Sequence, residues 1–220
     1  MWAHPGNVGL DGQSLEAGLA DFELENRQSI KRNLDAYMAL LLKWNLTYNL
    51  VSPASIPNML SKHVFDSLSV LPFLHGGRIL DVGTGAGLPG MVLAMAQPQR
   101  HFTLLDANGK KIRFCRQVCA EISLPNVEIV RARVQDYAPR HGFSSIVSRA
   151  YTTVGELISQ VEHLCALEAQ VLVMKGAQVM AELEHNAQIP DNTQVRELRV
   201  PGLESKRYLV IVNLLRNRVT

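Results

Sequence analysis

Asp81 stands two residues before the first of several spaced glycines, in Asp81-Val82-Gly83-Thr84-Gly85-Ala86-Gly87-Leu88-Pro89-Gly90. An apolar stretch leads into this run, and a second acid, Asp106, closes the next such stretch, 101–106. Glycines at this spacing permit a tight turn and let a ligand approach the backbone. Two templates overlap here. Gly85-x-Gly87-x-x-Gly90 fits a dinucleotide turn, which presents amides to a pyrophosphate. Asp81-x-Gly83-x-Gly85-x-Gly87 fits a turn for S-adenosylmethionine, which carries an ammonium and a sulfonium. A carboxylate beside the turn attracts those cations and repels a diphosphate. Asp106 suits ribose hydroxyls in either template. A glycine-rich connection that binds nothing is the bland alternative.

Other residues could do chemistry further along. Ser148-Arg149-Ala150 ends a strand-like run where catalytic loops sit in open α/β sheets. No acid or Asn before Pro-Pro and an aromatic stands there, and no Pro-Cys pair occurs, so Arg149 is the candidate catalytic side chain. Its plain alternative is an arginine capping a strand. Lys110, Lys111, Arg113 and Arg116 follow Asp106 at helical spacing. Each alone suits a solvated face, and as a cluster they could neutralise phosphates. Lys175 and Arg207 extend basic character along the same sheet edge. Lys110, Arg113, Arg116, Lys175 and Arg207 are therefore the candidate contacts to a phosphate polyanion, such as RNA. In Arg131-Ala132-Arg133-Val134-Gln135-Asp136, Val134 could pack on an adenine and Gln135 could read its edge. His63 and Asp66 lie one helical turn apart, and a buried capping network suits them better than direct chemistry. Cys115, Cys119 and Cys165 lack metal-ligand spacing, so no metal is expected.

These residues need a scaffold. Ile30, Leu34, Tyr37, Met38, Leu41 and Tyr48 recur at helical spacing, and a short second helix is expected from near Pro57. From Arg78 onward strand-like runs (78–82, 101–106, 127–131, 144–149, 170–176) alternate with helical ones (89–97, 109–122, 153–165). This alternation implies right-handed crossovers and a doubly wound, mostly parallel sheet. The last two strand-like runs, 193–200 and 206–215, have no helix between them and should pair antiparallel. The expected fold is α/β, a Rossmann-like seven-stranded sheet of the class I methyltransferase type ending in an antiparallel hairpin. The expected division is a loose tail (1–14), a helical extension (15–75) and the sheet domain (76–220). Net charge is +2 and the chain is 47% hydrophobic. The first residues lack the charge and apolar pattern of a secretory signal, and an odd cysteine count suits a reducing compartment, so a cytoplasmic location is expected.

Taken in order, Asn45-Leu46-Thr47, His63-x-x-Asp66-Ser67, the Asp81–glycine turn, Leu104-Leu105-Asp106, Lys110-Lys111-x-Arg113-Phe114, Ser148-Arg149-Ala150 and Lys175-Gly176 resemble the bacterial RsmG family, also called GidB. The resemblance spans about 15–215. It implies an S-adenosylmethionine-dependent methyltransferase that forms 7-methylguanosine in 16S ribosomal RNA of the small subunit. It also places cofactor contacts on Gly83, Leu88, Val134, Gln135 and Arg149, beside Asp81, Gly85 and Asp106 from the turn itself. Guanine N7 offers an in-plane lone pair with no proton to remove, so such a site needs alignment rather than a general base. A monomer acting on 16S rRNA or the small subunit is expected. A nicotinamide-dependent oxidoreductase and a non-catalytic RNA-binding or assembly protein are the alternatives.

Overall fold

The structure, a computed structural model, describes residues 14–184 and 189–215; the expected tail lies outside them apart from Ser14. Seven strands form one sheet: β1 (Arg78–Val82), β2 (His101–Leu105), β3 (Val127–Val130), β4 (Phe143–Arg149), β5 (Cys165–Gly176), β6 (Gln194–Leu198) and β7 (Arg207–Leu215). Their spatial order is β3-β2-β1-β4-β5-β7-β6. The first five strands are parallel, while β7 lies antiparallel between β5 and β6. The order reverses between β1 and β4, which opens a crevice at their carboxyl ends.

The central strands β1, β2 and β4 are buried on both faces, and alternate side chains feed two cores. Ile79, Phe102, Leu104, Val147, Leu172 and Leu209 point to one, and Leu80, Leu105, Ile146, Val171 and Val210 to the other. The first core is roofed by α1 (Leu15–Leu19), α2 (Arg27–Tyr48), α3 (Asp66–Leu68), α4 (Gly90–Ala96) and α5 (Gly109–Ile122). The second is covered by α6 (Val154–Val161) and α7 (Val179–Glu184). The helical extension is thus continuous with one face of the sheet. Its α2 packs on α5 through Tyr37 and Trp44, whose rings lie 6.1 and 5.7 Å from Phe114.

Six strands and α5 fall within about two residues of where the sequence places them, while β5 begins at Cys165, ahead of the expected 170–176. The segment around Pro57 differs. Instead of a helix starting there, a 3-10 helix runs Pro53–Asn58 with Pro57 inside it, followed by a π-helical turn, Leu60–Phe65, that leads into α3. Proline lacks the N–H an α-helix interior needs. The helix expected over 153–165 is also shorter. It ends at Val161, a 3-10 turn Glu162–Leu164 follows, and Cys165 already belongs to β5.

Candidate active site

The side-chain alternation of β1 that sends Ile79 into the α-roofed core also turns Asp81 toward the start of α4. Asp81 is fully buried. Its Oδ2 accepts from Thr84 Oγ1 at 2.6 Å and from the Gly90 amide at 2.8 Å. Its Oδ1 is buried and accepts nothing. Burial raises the carboxyl pKa to about 6, and the bonds from Thr84 and Gly90 hold it back from rising further. The acid therefore fixes the turn first, by tying its middle to the first turn of α4.

The turn is held from below and beside. Gly83 and Thr84 amides donate to the Leu105 carbonyl at 2.9 and 3.1 Å. The Gly85 amide donates to Asp106 Oδ2 at 2.9 Å, and Asp106 Oδ1 accepts from the Asn108 amide at 2.8 Å. Asn108 in turn caps α5 by accepting from Lys110 N at 2.9 Å. Gly85 has φ of +60°, and a Cβ built there would meet only Gly83 O and Lys111 Nζ, each at 3.8 Å. Its outer face is open, as a ligand-approach position requires. Leu88 places its side chain in the core and donates its amide to Thr84 O at 2.8 Å. Asp81, Gly83, Gly85, Leu88 and Asp106 are thus one bonded assembly across the ends of β1 and β2.

Two residues outside the expected set complete that assembly. Tyr37, fully buried on α2, donates its hydroxyl to the Ala86 carbonyl at 2.9 Å. Burial raises its pKa, so the hydroxyl keeps its proton. In the sequence Tyr37 is one member of an apolar stripe, and only the rule that a buried tyrosine hydroxyl needs a partner hints at more. Tyr151 lies across Gly83 from the other side, with Cδ2 2.5 Å from where a Gly83 Cβ would stand.

Arg149 ends β4, beside Val82 and Ser148 in the paired register of β1 and β4. It points into the helical extension. Its Nη1 faces Lys62 O at 3.1 Å, Asp66 Oδ2 at 3.2 Å and His63 Nδ1 at 3.4 Å. Arg207 Nε approaches Asp66 Oδ1 at 3.3 Å, in ion-pair range but outside hydrogen-bonding angle. Burial raises the Asp66 pKa, and the two guanidinium groups oppose that rise. His63 Nε2 meets Ser55 Oγ at 2.9 Å, and Ser55 Oγ donates to Ser52 O at 2.6 Å. The donor order fixes the histidine. Nδ1 accepts from Arg149, so Nε2 carries the proton and gives it to Ser55. Burial, with Arg149 second, lowers the His63 pKa to about 4, so this ring is neutral near pH 7. The network expected for His63 and Asp66 exists, and Arg149 is its centre.

The remaining candidates divide. Val134 is buried in a short 3-10 turn, Val134–Asp136, after β3, and Gln135 beside it is exposed. Lys110, Arg113 and Arg116 are exposed on α5 and line a groove with Asn108, Gly109, Ile112 and Arg131. Lys175 lies apart from them. Its Nζ binds the Thr152 carbonyl at 2.8 Å and Glu182 Oε2 at 2.9 Å, which anchors the loop after β4. Arg207 is engaged by Asp66. Among the described residues no cluster of three His, Cys, Asp or Glu side chains could hold a metal ion, and no helix is long and apolar enough to cross a membrane.

Residues 30–210 match the family described as rRNA small subunit methyltransferase G, GidB. The chain belongs to this family. Its GidB relatives include proteins named ribosomal RNA small subunit methyltransferase G from Legionella pneumophila, 44% identical over 90% of this chain and 93% of the relative, and from Idiomarina loihiensis, 44% identical over 81% and 86%. Among solved structures, a SAM-dependent methyltransferase from Aquifex aeolicus superposes with a TM-score of 0.53 at 19% identity, covering 72% of this chain and 94% of that one. The GidB chain therefore carries the class I methyltransferase fold. The dinucleotide alternative gives way on the site as well. A buried carboxylate, Asp81, is bonded into the turn through the Gly90 amide, and a negative charge there disfavours a pyrophosphate.

Proposed function

We propose that this protein transfers a methyl group from S-adenosylmethionine to N7 of a guanine in 16S rRNA of the small ribosomal subunit, in line and without a general base. The residues fit the cofactor. Asp81 Oδ1 is a buried acceptor with no partner, suited to a cationic group, and the open face of Gly85 lies beside Asp106, suited to ribose hydroxyls. Gly83, Leu88, Val134, Gln135 and Arg149 complete the proposed contacts. When bound, the cofactor supplies an electrophilic methyl group.

One observation carries the choice of N7. The titratable side chains around Arg149 are already engaged. His63 uses both ring nitrogens, and Asp66 lies between two arginines. Such a site is poorly suited to removing a proton from an exocyclic amine, and N7 has none to lose. Its contribution is placement: a rigid turn and a fixed Arg149 hold the reacting groups in line, which is worth several kcal/mol. N7 lies on the deep-groove edge of an RNA helix, so the target base must be looped out or unstacked. Lys110, Arg113 and Arg116 are the proposed phosphate contacts, with Lys175 and Arg207 giving part of their charge to Glu182 and Asp66.

The test is to incubate the protein with labelled S-adenosylmethionine and small subunits from a strain lacking the modification, then map the label. Label on guanine N7 is expected. Label on another atom, or none, ends the specific claim.

A further inference from the structure

Tyr151 takes no part in the reading above, yet its placement is costly. Ala150, between it and Arg149, has φ of +51°, a left-handed conformation that residues with a Cβ rarely adopt. That reversal brings the Tyr151 ring back over Gly83. A Cβ there would stand 2.5 Å from Cδ2 and 3.1 Å from Cγ, and Gly83 itself has φ of +70°. The bare glycine face is what lets the ring lie there. The hydroxyl is tied to Gln160 Oε1 on α6 at 3.1 Å. The following residue is tied as well: Lys175 Nζ holds the Thr152 carbonyl, and Glu182 Oε1 accepts from the Val154 amide at 2.7 Å. The loop is thus braced by two ion-paired side chains and by the tyrosine hydroxyl.

Despite this bracing Tyr151 is 40% exposed. Tyr48, another large exposed aromatic, packs on Trp44 at the end of α2. Tyr151 instead rests on glycine backbone at the switch point of the sheet, between β1 and β4. The proposed adenine contacts, Val134 and Gln135, follow β3, on the far side of β1 and β2 from it. A held, half-open aromatic face beside the methyl-donor turn fits a planar ring. An unstacked base stacks on an aromatic side chain and keeps its edges free.

We infer that the Tyr151 ring is the platform on which the target guanine stacks, presenting N7 across the glycine turn. This rests on the reading of the preceding subsection. The test compares wild type, Y151A, Y151L and Y151F on undermodified small subunits, with S-adenosylhomocysteine affinity measured by calorimetry on each. Y151A is expected to lower kcat/KM for the subunit by about 10- to 100-fold, with S-adenosylhomocysteine affinity held within about threefold. Y151L keeps bulk on Gly83 without a π face and should show a similar loss, while Y151F should recover to within about threefold of wild type. An unchanged kcat/KM in Y151A, full activity in Y151L, or a parallel loss of S-adenosylhomocysteine binding each overturns the stacking role. Failure of wild type itself to label guanine N7 is a different result, and it removes the underlying reading instead.

Discussion

Asp66 is the residue on which the site's electrostatics turn. Its side chain is 3% exposed and lies between Arg149 and Arg207, at 3.2 and 3.3 Å. Removing one partner of a buried ion pair leaves the other charge uncompensated, at a cost of about 3–5 kcal/mol. D66N leaves two guanidinium groups facing each other, so urea denaturation should show a loss near that range. R207M leaves Asp66 paired with Arg149 and should cost less; equal losses would mean that the two arginines do not share the carboxylate. His63 adds a pH dependence of definite sign. Its folded pKa is lowered to about 4 from 6.5, so its contribution is present above about pH 6.5 and is lost as pH falls through 4. Asp81 works oppositely: raised to about 6, its contribution is full below 3.8 and is lost as pH rises through 6. The wild-type curve mixes the two. The difference between wild type and H63Q isolates the histidine, and it should shrink by about 1–3 kcal/mol between pH 7 and pH 4. A flat difference would show that His63 titrates normally.

At the scale of elements, α2 acts as a strut for the glycine turn. Its apolar stripe seats it on α4 and α5, and Tyr37 converts that packing into a hydrogen bond on the Ala86 carbonyl. Y37F leaves that carbonyl buried without its donor, which should cost about 1–3 kcal/mol. Because the turn carries Gly85 and the amide bonded to Asp106, S-adenosylhomocysteine affinity should fall together with the melting temperature. A melting change with unaltered affinity would confine Tyr37 to the core. This coupling was not legible from the sequence, where periodicity places Tyr37 on a buried face and says nothing of a partner 49 positions away. Most strands were legible because they are short apolar runs bounded by turn residues, and Asp81 and Asp106 because they close such runs; the start of β5, where Glu168 interrupts the apolar pattern, was not. The 3-10 helix around Pro57 and the π turn that follows escape because neither keeps a 3.6-residue period. Those turns set the spacing of Ser55, His63 and Asp66, so a network of His63 and Asp66 was legible, and its other members, Ser55, Arg149 and Arg207, were not. The helices α1 and α7, of 5 and 6 residues, are too short to show a period.

For the molecule as a whole, a net charge of only +2 makes attraction to RNA a matter of where charges lie. Two of the five candidate RNA cations are drawn into ion pairs: Lys175 with Glu182 and Arg207 with Asp66. Lys110, Arg113 and Arg116 stay exposed on one groove, joined by Arg131. Long-range attraction should therefore come mainly from the α5 side, and the β5–β7 side should act through fixed geometry. Each phosphate contact contributes about 0.7–0.9 to the slope of log affinity against log salt. The triple change K110Q/R113Q/R116Q should reduce that slope for small-subunit binding by about 2–3, with S-adenosylhomocysteine affinity maintained. K175Q should barely change the slope and should lower stability instead, because it releases the Thr152 carbonyl and leaves Glu182 without its cation. A slope that falls with K175Q and not with the triple variant would move the RNA path from α5 to the hairpin side of the sheet.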